Sequence, residues 1–131
     1  MESVKVSSGG PYEQVYGYSR AIRVGQQVYV SGTTATGPDG KVIAPGDAYA
    51  QTKQALTIIE KALTQCGASL RDVVRTRTFT TDIQSWPGIA KAHAEAFGEV
   101  RPAATLVEIK ALIDPAMLIE IEVDAVVRSE S

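Results

Sequence analysis

Histidine, cysteine and tryptophan occur once each in the 131 residues, as His93, Cys66 and Trp86. One His and one Cys cannot build a Cys/His zinc site, and no disulfide can close within the chain. A Ser-His-Asp or Cys-His arrangement would have to use His93. Aromatic residues make up only 6% of the chain, too few for a sugar-stacking cleft. No apolar run approaches the ~18 residues that cross a bilayer. The start, Met1 to Val6, lacks the apolar stretch of a secretion signal. A lone thiol fits a reducing compartment, so a cytoplasmic protein with no membrane partner is expected. Neither sign of charge dominates: 13 Lys and Arg against 15 Asp and Glu leave a net charge of −2, which argues against nucleic acid as a partner. Gly32, Gly37 and Gly40 form no phosphate-cradling loop between a strand and a helix. The expectation is no metal and no cofactor, with any chemistry left to carboxylates, backbone groups or bound water.

What is present reads as one domain over residues 1–131, without linker or repeat. Arg20–Val24 and Gln27–Val30 read as strands joined at Gly25-Gln26, where Gly at the first central position suits a type II′ hairpin. Pro38-Asp39-Gly40 is a turn signal ahead of a short strand, Lys41–Ile43. After a plausible N-cap at Asp47, residues Ala55, Leu56, Ile59, Ala62, Leu63 and Cys66 form the stripe of an amphipathic helix that ends at Gly67. Val73–Thr81 is a β-branched strand. A second helix follows Ser85 and Pro87 with the stripe Ile89, His93, Ala96 and Phe97. Ala103–Lys110 and Met117–Val127 are the closing strands. The class is α+β: a six-stranded mixed sheet with two helices packed on one face.

Strand parity separates the faces. Ile119, Ile121, Val123, Ala125 and Val127 alternate with Glu120, Glu122, Asp124 and Val126, so three carboxylates share the face away from the helices. Arg75, Arg77 and Phe79 share one parity in their strand. In Ala103–Lys110 the set Thr105, Val107 and Ile109 reads as the apolar side, leaving Leu106 and Glu108 on the other. A face mixing acids and arginines with exposed Leu106, Phe79 and Val126 implies a covering subunit. Arg71, Arg75 and Arg77 then read as interface ion pairs rather than a nucleic-acid patch. On spacing alone, Glu120 and Glu122 read as alternation on an ion-paired strand face rather than a glycosidase pair. His93 and Cys66, both on apolar stripes, read as packed core residues.

Gly10-Pro11-Tyr12, Val30-Ser31-Gly32, Arg101-Pro102-Ala103 with Val107-Glu108-Ile109, and Ile119-Glu120-Ile121-Glu122 occur in an order that resembles the Rid family, the reactive intermediate deaminases also called YjgF or L-PSP proteins. The resemblance spans nearly the whole chain. It implies a chorismate-mutase-like fold and a homotrimer with ligand clefts between subunits. It also implies cofactor-free hydrolysis of small enamine or imine metabolites to a keto acid and ammonia. By the same resemblance, Glu120 positions the water, Ser31 and Gly32 line the cleft, and Tyr12 closes it. The family's carboxylate-binding arginine falls on Ala104, with Leu106 as an apolar wall, and Arg101 is the nearest cation in sequence. A methyl group cannot replace a bidentate guanidinium, so the chain resembles the Rid subgroups that lack this arginine. The alternative is a non-catalytic trimer that binds a small metabolite for regulation.

Overall fold

The computed structural model describes residues 3–128. In chain order the elements are β1 (Ser3–Val6), α1 (Glu13–Tyr16), β2 (Ala21–Val24), β3 (Gln27–Thr33), α2 (Ala48–Gln65), β4 (Val73–Thr80), α3 (Trp86–Phe97), β5 (Ala103–Glu108) and β6 (Ile119–Val126), with single 3-10 turns at Leu70–Asp72 and Ile83–Ser85. They form one six-stranded sheet in the order β1-β2-β3-β6-β4-β5. Only β4 and β5 run parallel; every other pair is antiparallel.

The alternation read from β6 sets the layers. Ile119, Ile121, Val123 and Ala125 are buried, while Glu120, Glu122, Asp124 and Val126 are partly open. The buried set meets Val28 and Val30 of β3 and the α2 stripe of Ala55, Leu56, Ile59, Ala62 and Leu63 in one core. Asp47 caps α2 as its position predicts, accepting from the Ala50 amide at 3.0 Å. The β2–β3 connection also has the expected geometry: Gly25 is left-handed at φ +61° and Gln26 is not.

One strand is corrected. Lys41–Ile43 is a loop joined to its surroundings by a single isolated bridge between Thr36 and Val42. Fully buried Gln51 of α2 fixes the end of this loop: Nε2 donates to the carbonyls of Ile43, Ala44 and Ala116, and Oε1 accepts from the Leu118 amide. The sixth strand is β1 at the sheet's edge. Its residues are mostly exposed, including Val4 at 48%, so no in–out pattern marked it in the sequence. The one-turn helix α1 was likewise too short to show a period.

His93 is half-buried and engaged in packing and hydrogen bonding on the sheet-facing side of α3. Its Nε2 lies 2.8 Å from Thr76 Oγ1 on β4, and its ring packs 4.8 Å from Phe97. Burial pushes the ring's pKa below its ordinary value. As pH falls through about 6.5, the unfolded chain protonates first, so stability is full above that value and declines on acidification. His93→Gln is expected to flatten this slope in thermal unfolding between about pH 5 and 7. An unchanged slope would assign the acid sensitivity to another group.

Candidate active site around Glu120

Glu120 stands on the open face of β6, paired in register with Phe79 of β4. On its other side, β3 departs from regular pairing. Val30 pairs with Val123 and Thr33 with Ile121, so Ser31 and Gly32 stand against Glu122 alone. This bulge turns the Gly32 backbone toward Glu120. A Cβ at position 32 would lie 2.7 Å from Glu120 Cδ and 2.8 Å from Oε2, closer than real Cβ contacts allow. Glycine is therefore what lets the Glu120 carboxyl rest in this position. The Glu120 carboxyl fills the volume that a side chain would need.

The electrostatics follow from that placement. Burial raises the Glu120 pKa above its ordinary value, the Glu122 carboxylate raises it further, and Arg20 pulls it down. Glu122 is partly neutralised by Arg77, whose Nη1 lies 3.3 Å from both Glu122 Oε1 and Asp124 Oδ2. These pairs are about one-third exposed, so each contributes little to stability. The result is a carboxyl group on the open face of the sheet that titrates above a free glutamate. A carboxylate shifted in this direction is a stronger base toward water than a free glutamate.

The other expected site residues are placed as follows. Ser31 is in the bulge, but its hydroxyl donates back to the Ser19 carbonyl at 2.7 Å, so its role is to hold β2 and β3 together. Tyr12 precedes Glu13 at the head of α1, and the hydroxyl of Tyr18 accepts from Arg20 Nη2 at 3.0 Å. Ala104 and Leu106 are register partners of Thr76 and Thr78, whose side chains are buried on the helix side, and Leu106 packs against the core. Within one chain both therefore lie across the sheet from Glu120. The strand parity assigned to β5 from sequence is reversed: Thr105 and Val107, partners of Arg77 and Phe79, share the Glu120 face.

Arg101 also stands apart from Glu120. It precedes Ala103, the partner of Arg75, whereas Glu120 pairs with Phe79 four residues further along β4. That offset alone is roughly 13 Å of strand. Arg101 is left-handed at φ +55° and lines a cleft of about 540 Å³ with Arg71 and Arg128. Among the described residues the cation that acts on Glu120 is Arg20, just before β2 and 100 residues earlier in the chain. Among the described residues, no three His, Cys, Asp or Glu side chains gather as metal ligands. No described helix is long and apolar enough to cross a membrane.

Residues 11–127 match the family described as Endoribonuclease L-PSP. The chain is 38% identical over 104 residues to the 3-aminoacrylate deaminase RutC of Acinetobacter baylyi, covering 79% of this chain and 82% of that one. It superposes with TM-score 0.87 and 49% identity on a crystal structure of a YjgF/YER057c/UK114 family member from Mycobacterium tuberculosis, covering 96% of this chain and all of that one. A Rid-family protein of Yersinia pestis superposes with TM-score 0.85 at 31% identity, covering 96% of this chain and all of that one.

The chain belongs to the Rid/YjgF/L-PSP family.

As a Rid protein it has Glu120 on its last strand, the Ser31-Gly32 pair on β3 and Ala104 on β5. Sequence reasoning passed over Glu13, Tyr18 and Arg20. The available signal was an arginine at the head of a hairpin strand that also carries Arg23. Its meaning depended on knowing that the strand start and the β3 bulge are neighbours.

Proposed function

We propose that this Rid protein is a cofactor-free deaminase of small enamine or imine metabolites, working in the cytoplasm as a homotrimer with Glu120 as the base. The observation that carries the reading is the Glu120 carboxyl lying over Gly32 on the open sheet face, with its pKa raised by burial. The relative named as a 3-aminoacrylate deaminase supplies the substrate class. An enamine of this kind tautomerises to its imine. Glu120 takes a proton from water as the oxygen adds to the imine carbon, and passes that proton to the nitrogen. The resulting carbinolamine loses ammonia and leaves the carbonyl product. The step is hydrolysis, with water as the only co-reactant.

Trimeric assembly is the second part of the proposal. The open face carries Tyr29, Phe79, Val107 and Val126 among its charges, and β5 leaves one edge unpaired. A partner subunit seated there would cover this apolar surface and close a cleft over Glu120. Light scattering at micromolar concentration is expected to give three times the chain mass. A monomer would remove the closed cleft from the mechanism.

The test of activity generates 3-aminoacrylate or 2-iminopropionate in situ and follows ammonia release with and without protein. Acceleration over buffer is the expected result. If a metabolite instead raises the melting temperature and is never consumed, the binding-only regulator is the correct reading.

A further inference from the structure

Arg20 has only 6% of its surface exposed, and a charge so buried must be matched at every polar atom. Its Nε donates to Ser8 Oγ at 3.3 Å, Nη1 to the Gly32 carbonyl at 2.7 Å and to Thr33 Oγ1 at 3.0 Å, and Nη2 to the Tyr18 hydroxyl at 3.0 Å. Glu13, exposed by only 7%, brings Oε2 to 3.6 Å from Nε. That oxygen also accepts from the Ser8 amide at 3.1 Å, the Ser8 hydroxyl at 2.7 Å and the Gly10 amide at 3.2 Å. Burial opposes the Glu13 charge, but these hydrogen bonds outweigh it and hold the pKa below its ordinary value.

The pair therefore ties three separate pieces together: the Ser8–Glu13 segment, the start of β2 and the bulge of β3. The bulge is the surface on which Glu120 rests. Glu122 along β6 and Arg20 beyond β3 are the charges that act on Glu120, while Arg77 from β4 is engaged by Glu122 and Asp124, and Phe79 adds no charge. Four donor contacts of the Arg20 guanidinium are committed within the chain, so it serves the base and does not replace the arginine absent at position 104 as a substrate anchor.

We propose that Arg20 is a positioning residue for Glu120: clamped by Glu13, it holds the Ser31-Gly32 bulge beneath the Glu120 carboxyl and opposes the negative charge of Glu122 beside it. The proposal rests on the reading of Glu120 as the site's base. It is tested without substrate, by following the Glu120 side-chain carboxyl carbon through a pH titration by NMR in the assembled protein. Arg20→Gln removes a positive charge and is expected to move the Glu120 midpoint upward. Glu13→Gln leaves Arg20 uncompensated and is expected to move it downward. Arg20→Lys keeps the charge and is expected to leave it close to wild type. If Arg20→Gln does not fold, the other two variants decide the matter. Midpoints that stay together in all folded variants, or that move the same way for Glu13→Gln and Arg20→Gln, overturn the proposal. Opposite shifts in a protein that releases no ammonia would support the electrostatic coupling while removing the deaminase reading, so the two can fail separately.

Discussion

Glu120→Gln is expected to slow ammonia release by roughly 10²–10⁴-fold, the usual contribution of a positioned acid–base group. Glutamine keeps the shape and one oxygen acceptor but cannot take a proton from water at the imine carbon. The loss should therefore fall on kcat more than on KM. Stability should move the other way. The folded-state pKa of Glu120 is raised by burial and by Glu122, so the folded protein holds its proton more tightly than the unfolded chain does. A group of this kind contributes stability below its unfolded pKa, and that contribution is lost as pH rises through the folded pKa. At neutral pH the charged carboxylate is thus a destabilising element that a neutral amide relieves. Glu120→Gln is expected to melt at or above the wild-type temperature at pH 7 and to show a weaker fall in stability as pH rises from about 4.5. Full activity in this variant would end the role of Glu120 as base. Lost activity together with a lower melting temperature would point to damaged packing instead.

Gly32→Ala should reach the same site by geometry rather than charge. The new methyl would meet Glu120 Cδ at 2.7 Å, and the carboxyl, being the far end of a flexible side chain, would swing away. Gly32 is absent from the left-handed residues, so alanine fits its backbone without conformational strain. The fold should therefore tolerate the change, with a stability difference of about 1 kcal/mol or less, since neither backbone nor core must shift. Turnover should not tolerate it, because a reacting group moved by about 1 Å loses on the order of 10²-fold in rate. The decisive comparison is the melting curve against kcat in one preparation. Equal losses in both would mean that the bulge matters to the fold; unchanged kcat would mean that Glu120 is free to act from another rotamer.

These expectations show which parts of the molecule were legible in sequence. The strict alternation from Ile119 to Val126 identified the central strand and its two faces, because a strand with one buried side must keep its apolar residues in one phase. The α2 stripe and its Asp47 cap were legible for the same reason at helical period. Glu120 itself emerged from parity together with the resemblance to the Rid family. β5 resisted this reading because it is an edge strand. Most of its residues are exposed within one chain, so both phases mix apolar and polar residues, and only the register with β4 shows which side Ala104 and Leu106 take.

The scarcity of His and Cys leaves carboxylates as the chemistry-bearing groups, and residue order, periodicity and composition were enough for the α+β class, the helix-covered face and the placement of Glu120 opposite it. Those features follow from local patterns that burial imposes on nearby residues. Only the tertiary structure decided that β1 rather than Lys41–Ile43 completes the sheet, that Arg101 stands far from Glu120 within one chain, and that Arg20 acts on a glutamate 100 positions away. These depend on strand pairing and on a bulge, which bring together residues that no local period connects.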